Sequence, residues 1–314
     1  YERIISIENL QLADQNARRG KLHSYGVELH DRNRDANIQK LHEALRQQTY
    51  KTSDYHIFKI YEPKEREIYQ LPYYPDRIVH HAVMNILEPV WVSIFTADTY
   101  ACIKGKGIHA VVRKMKHILR TDPDETRYCL KLDIKKFYPS IDHEILKMIV
   151  RRRIKDPRLL SLLDEIIDSV PDEKGVPIGN YLSQYFANIY LAYFDHWIKE
   201  IKQIKYYWRY ADDIVILSSD KSLLHALLHD IRRYLKENLK LTVKRNYQVF
   251  PVAARGIDFA GYVFFHTHTK LRKRIKQRFF RRVASMKKRK KMPTKEAYQQ
   301  QLAAWWGWCK YCDS

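Results

Sequence analysis

The stretch "YYWRYADDIVIL", residues 206–217, leaves the chain few ways to fold. An aromatic run and an aliphatic run, each of strand length and rich in residues that suit a pleated surface, meet at two adjacent aspartates. That pattern reads as a hairpin with Asp212 and Asp213 at its tip. Adjacent like charges raise each other's cost of ionisation unless a cation or a donor compensates. A second strand is legible at 129–134, "CLKLDI", where Leu130, Leu132 and Ile134 face one side and Lys131 and Asp133 the other. Helical patterns cover 182–198 and "SLLHALLHDIRRYL", whose Leu224, Leu227, Leu228, Ile231 and Leu235 form one apolar face. Strand, helix, hairpin, helix, strand is the order of a ferredoxin-like split βαβ unit, which predicts an α+β fold around an antiparallel sheet.

On either side of this unit the character changes. Residues 1–62 read as polar, basic helices ("NIQKLHEALRQQ") ending in the β-rich "YHIFKIY". Residues 76–94 predict a helix with Asp76 as its cap, and His80 and His81 in it read as packing or surface residues, because no acidic partner lies at metal spacing. Beyond residue 268 the chain is densely basic and ends in the aromatic helix "LAAWWGWCKYC". Neither a low-complexity linker nor a solenoid repeat interrupts it, so packed subdomains are expected.

A net charge of +21 spread along the chain favours a polyanionic partner, since each neutralised phosphate releases counterions. Aromatic residues at 13% suit bases as well as phosphates. Four scattered cysteines cannot make a disulfide framework and point to a reducing, cytoplasmic setting. Cys309 and Cys312 form a CxxC, but no second pair follows at zinc spacing. No apolar signal core or run of membrane length is present, so no membrane partner is expected.

Asp133 and the Asp212–Asp213 pair fall on strands that pairing can bring together. Isolated aspartates at strand ends usually form caps or turns. Three convergent carboxylates in so basic a chain point instead to divalent cations, with hard, oxygen-ligated magnesium the natural occupant. Two such ions support in-line phosphoryl transfer by activating a hydroxyl and stabilising a leaving pyrophosphate.

Further motifs sharpen this. "YADD" resembles the Y-x-D-D box of reverse transcriptases, and "LDIKKFYPSI" resembles their first palm motif. "GVPIGNYLSQYFANIYL" is similar to their third palm block, G-x-P-Q-G-x-x-x-S-P-x-x-A-N-x-x-L in intron and retron enzymes. "KEREIYQLPYYPDRIVHHAV", "YACIKGKGIHAV" and "NYQVFPVAARGIDFAGY" resemble the fingers and primer-grip blocks, so the resemblance runs in order over about residues 50–265. Two departures stand out: Ile178 where most relatives have glutamine, and Gln184 where they have proline. With "GKGIHAV" and the terminal "WCKYCDS", that spelling resembles the reverse transcriptases of diversity-generating retroelements, which copy a template-repeat RNA into cDNA with errors at template adenines.

The resemblance implies a right-hand polymerase with fingers at 1–105 and 142–178, a palm at 106–141 and 179–267, and a helical thumb at 268–314. It makes Asp133 and Asp212 ligands of two magnesium ions, helped by the Ile134 carbonyl, with Asp213 a weaker ligand or a structural residue. Tyr138 takes the steric-gate position or is an ordinary core aromatic. Arg66 lies on the incoming base and reaches the triphosphate, a double task its planar fork suits, and Lys64 assists or is a solvated neighbour. Backbone groups of Lys136 and Phe137 hold phosphates, and Ile178, Gly179 and Gln184 belong to the nucleotide site. Lys244 is the candidate that protonates the departing pyrophosphate. Lys104 and Lys106 track template backbone, and their glycines lack the spacing of a P-loop. Lys287, Lys288 and Arg289 follow the template–primer minor groove or form a solvated face. Implied partners are template RNA, the RNA–cDNA hybrid, deoxynucleoside triphosphates and a pentameric basic accessory protein, in a bacterial or phage-encoded cytoplasmic system. An intron, retron or phage-defence enzyme, and a non-catalytic RNA-binding scaffold, are the alternatives.

Overall fold

The computed structural model describes residues 1–61, 65–288 and 294–313. The chain divides into two units, one of residues 1–96, 135–196 and 235–241, the other of residues 97–134, 197–234 and 242–314.

In the first unit, helices Glu2–Ile5 and Ile7–Ala17 pack against helix Ile78–Val92, and Arg34–Arg46 packs on the first two. The Ser6 hydroxyl accepts from Asn9 N and so caps Ile7–Ala17. Ile4, Leu10 and Ala13 are buried, as are Val79, Ala82 and Val83 of the longer helix. Asn9 also reaches across, donating to the Ala82 carbonyl at 3.0 Å and accepting from Asn85 at 3.0 Å, so its buried amide is satisfied. The expected cap does not form. Asp76 is fully buried in a π-helical turn, Tyr73–Arg77, and accepts from Tyr50 Oη at 2.7 Å and Ser53 N at 3.0 Å. Those donors from residues 50–53 hold the carboxylate away from the N–H groups of its own helix, which starts at Ile78. His80 is buried, and His81 stacks on Tyr181 at 4.5 Å.

Two strands of this unit, β1 (His56–Tyr61) and β2 (Glu65–Gln70), form a largely exposed antiparallel ribbon, with Ile60 opposite Arg66. The Tyr69 N–H donates to the Ile178 carbonyl at 3.0 Å. Gly179, at φ +121°, follows there, and a Cβ on it would stand 3.2 Å from the Tyr69 carbonyl oxygen. Glycine is what this close approach requires.

The second unit holds a four-stranded sheet of β3 (Tyr128–Asp133), β4 (Tyr206–Tyr210), β5 (Asp213–Ser218) and β6 (Gln248–Pro251), in the order β4-β5-β3-β6 and antiparallel throughout. That order is the ferredoxin-like one expected from the element sequence. Period-two alternation sends Cys129, Trp208, Val215 and Leu217 into a core with Val111, Val112, Met115 and Leu119 of helix Ile108–Thr121. Further along the same sheet face stand Lys131, Asp133 and Asp213, because the register pairs Lys131 with Val215 and Asp133 with Asp213. The apolar face read from sequence on helix Lys221–Leu239 is buried at Leu224, Leu227, Leu228, Ile231 and Leu235.

A smaller sheet of β7 (Ile257–Phe259), β8 (Tyr262–Phe264) and β9 (Thr269–Leu271) precedes helices Lys273–Lys287 and Lys295–Cys309. The end of the last helix returns to the core. Tyr262 Oη donates to the Trp308 carbonyl at 2.9 Å, Tyr311 stacks on His109 at 4.4 Å, and Asp313 accepts from Thr269 N at 2.8 Å. All four cysteines are free thiols. Among the described residues no helix is long and apolar enough to cross a membrane.

Candidate active site

Three main-chain and register constraints assemble the acidic cluster. Ala211 and Asp212 form a two-residue turn between Tyr210 and Asp213, which pair with each other. Ile134 N donates to the Asp212 carbonyl at 3.2 Å, and Lys244 N donates to the Asp133 carbonyl at 2.8 Å. The end of β3, the β4–β5 turn and the segment before β6 are thereby fastened to one another. Asp133 and the Asp212–Asp213 pair, 79 residues apart in sequence from Asp133 to Asp212, share one site.

Their charges resist one another. Burial, and then the neighbouring Asp133 charge, push the Asp212 carboxyl above its ordinary value. Asp213 is pushed up to about 6, mainly by burial, with Asp133 and Asp212 adding and Lys131 opposing. Two lysines supply the counter-charge. Lys244 Nζ stands 2.5 Å from Asp133 Oδ1, an ion pair without hydrogen-bond alignment, and Lys131 Nζ is 3.5 Å from Asp213 Oδ2 while donating to the Asp258 carbonyl. Asp133 Oδ1 and Asp213 Oδ1 are buried with no hydrogen-bond partner. Buried carboxylate oxygens left in that state call for a cation or a proton. A polar cleft of about 260 Å³ opens beside them, lined by Lys131, Asp133, Asp213, Gln248, Arg255 and Asp258.

The donor set is all oxygen and anionic, which fits a hard divalent ion in chemistry. As the side chains stand, no three acidic, histidine or cysteine groups among the described residues converge closely enough to hold one. The lysine ammonium groups are instead the cations beside Asp133 and Asp213. Lys131 was not among the site residues expected from sequence. Its signal was there, since two-residue alternation along β3 puts it on the face of Asp133.

The other expected site residues are placed as follows. In the first unit, Arg66 is exposed near the tip of the β1–β2 ribbon, and the backbone of β2 meets Ile178 and Gly179. Gln184 is exposed on helix Tyr181–His196. Lys136 is exposed at φ +45°, Phe137 is buried, and Tyr138 is half-buried with its ring edge-on to Phe137 at 5.7 Å. In the second unit, Lys104 is exposed, whereas Lys106 donates to the Ala97 and Thr99 carbonyls, each at 3.2 Å. Lys287 and Lys288 are exposed at the end of helix Lys273–Lys287. Lys64 and Arg289 lie outside the described residues.

The family described as "Reverse transcriptase (RNA-dependent DNA polymerase)" matches residues 62–264, more than half of the chain. The chain belongs to that family. Its similar relatives include Protein YkfC of Escherichia coli, 28% identical over 61% of this chain and 61% of YkfC. They also include the group II intron-encoded protein LtrA of Lactococcus lactis, 24% identical over 54% of this chain but 29% of LtrA. The retron Ec73 reverse transcriptase of Escherichia coli is 26% identical over 57% of this chain and 59% of that enzyme. The chain thus matches less than two thirds of the length of each. Among solved structures, telomerase from Candida tropicalis with a telomeric RNA fragment superimposes with a TM-score of 0.52 at 13% identity, over 73% of this chain and 47% of that one. The reverse transcriptase chain accordingly has the fold of the right-hand polymerases.

Proposed function

We propose that this reverse transcriptase copies a template-repeat RNA into cDNA with errors directed to template adenines, by two-magnesium nucleotidyl transfer. The observation that carries the catalytic part is the register of Asp133 against Asp213, with Asp212 at the adjoining turn and the buried Asp213 Oδ1 without a hydrogen-bond partner. Asp133, Asp212 and Asp213, with the Ile134 carbonyl, would hold the ions, which when bound make the primer hydroxyl a better nucleophile and offset charge on the leaving pyrophosphate. The chain's own residues do the rest. Lys244, whose ammonium pairs with Asp133, would give a proton to the pyrophosphate. Arg66 and Lys64 receive the triphosphate from the fingers, the Lys136 and Phe137 backbone holds phosphate, and Tyr138 bars a 2′-hydroxyl. Residues 1–105 and 142–178 serve as fingers, 106–141 and 179–267 as palm and 268–314 as thumb. Lys104, Lys106, Lys287, Lys288 and Arg289 follow the nucleic acid backbone.

The retroelement branch is supported by the spelling around Ile178 and Gln184. Where relatives have glutamine, an amide can hydrogen-bond near the nascent pair, and isoleucine offers no such bond. A lost polar contact removes roughly 1 kcal/mol from discrimination between correct and incorrect nucleotides. A pentameric basic accessory protein is the partner this branch implies, and the cytoplasm of a bacterium is the setting. Similarity to LtrA and to the retron Ec73 enzyme favours the second reading, an intron or retron polymerase of ordinary fidelity. Sequencing cDNA made by wild type and Ile178→Gln on one RNA template separates the two. Errors concentrated at template adenines, falling several-fold in Ile178→Gln at similar extension, support the retroelement reading. Uniformly low errors in both favour the intron or retron reading.

A further inference from the structure

We propose that Arg209 is a positioning residue that sets the direction of the Asp212 side chain by clamping the β4–β5 turn. The inference rests on the polymerase reading for its consequence, but its geometry stands alone. The Arg209 side chain is fully buried, and Nη1 donates to the Ala211 carbonyl at 3.1 Å. That carbonyl belongs to the peptide plane preceding the Asp212 Cα. The plane following it carries the Asp212 carbonyl, which accepts from Ile134 N at 3.2 Å. Two bonds therefore orient the two planes that flank Asp212, and with both planes set its Cα–Cβ direction is set too. Ala211 shows that the turn needs holding. It sits at φ +54°, a left-handed conformation that an alanine keeps only where the surroundings over-determine it.

The clamp has its own anchor. Arg209 N donates to the Asp98 carbonyl at 3.0 Å, and the Arg209 carbonyl accepts from Tyr100 N at 3.1 Å, so the 98–100 segment lies along β4. Asp98 is buried in turn, with Lys114 Nζ at 2.5 Å and Lys199 Nζ at 3.1 Å from its carboxylate. Burying a guanidinium is costly, and an apolar side chain would fill the space at less expense in desolvation. What an apolar residue cannot do is donate to the Ala211 carbonyl. Lysine keeps the charge but not the planar fork.

The test compares wild type with Arg209→Lys, which keeps the charge but not the planar fork, and with Ala211→Gly, which keeps the clamped carbonyl and eases the left-handed turn. Amide hydrogen exchange across residues 210–214 reads the turn with no metal present, and Mn²⁺ binding followed by electron paramagnetic resonance reads the carboxylates. Arg209→Lys is expected to exchange at least tenfold faster in this segment and to bind Mn²⁺ about tenfold more weakly, and its single-turnover extension should lose rate with little change in KM for the nucleotide. Ala211→Gly should exchange no faster than wild type, and adding it to Arg209→Lys should restore part of the protection, because glycine holds the left-handed turn with less help. Unchanged exchange in folded Arg209→Lys overturns the proposal, and so does tenfold faster exchange in Ala211→Gly, which would mean that the alanine and not the clamp holds the turn. Failure of wild type itself to extend a primer would count against the polymerase reading and leave the exchange result to decide the role of Arg209.

Discussion

Asp213 carries its charge against burial and two neighbouring carboxylates, and that has a consequence for stability. Its pKa of about 6 in the folded chain lies above the ordinary 3.8, so the folded state holds the proton more tightly than the unfolded state. Its contribution is therefore neutral below about pH 4, becomes unfavourable as pH rises through 6, and stays so above that. The penalty is on the order of 3 kcal/mol. His80 and His81 act in the opposite sense, pushed down to about 3 and 4 chiefly by burial, so the effect must be read as a difference between chains. In chelator at pH 7.5, Asp213→Asn is expected to melt a few degrees above wild type, with the gain vanishing near pH 4. Equal melting temperatures at pH 7.5 would show that the cluster is not strained. Adjacency and alternation made the three aspartates legible in the sequence, because both are local patterns. Arg209 and the left-handed Ala211 were not legible, since no periodicity announces a buried charge or a positive φ.

The elements tell a similar story at longer range. The palm-like sheet was readable because β3 alternates every second residue while β4 and β5, buried on both faces, show as continuous apolar runs meeting at a turn, and the order of elements then left one familiar arrangement. Asp76 misled because the cap rule sees only the residues beside a helix, whereas its donors come from residues 50–53. The return of the last helix was equally hidden. Gly261, at φ +91°, leaves room for the Trp308 ring, and a Cβ there would collide with it. Gly261→Ala adds both strain and overlap, with an expected cost of about 2–4 kcal/mol. Near-ultraviolet circular dichroism of the aromatic contacts and a chemical denaturation curve check this. A full-strength aromatic signal with an unshifted midpoint would mean that the helix end does not depend on Gly261.

At the scale of the whole molecule the net charge of +21 sets how the chain would meet the RNA partner proposed for it. Helix Lys273–Lys287 is basic along its length and almost wholly exposed. Affinity for an RNA–DNA hybrid should fall steeply with salt, with a log–log slope of magnitude several units, as counterion release demands. A flat response would assign the basic surface to something else. Family membership was visible in the sequence because six blocks stand in order, and the match over residues 62–264 agrees with it. The branch proposed within the family rests on the spelling at Ile178 and Gln184 with "GKGIHAV" and "WCKYCDS", which no backbone geometry distinguishes. The central claim concerns Asp133, Asp212 and Asp213, and single-nucleotide incorporation on an RNA template with magnesium tests it most directly. Wild type should add a deoxynucleotide, while Asp133→Asn and Asp212→Asn, folded and still binding RNA, should fall at least a thousandfold. Extension by either variant within tenfold of wild type would contradict the account.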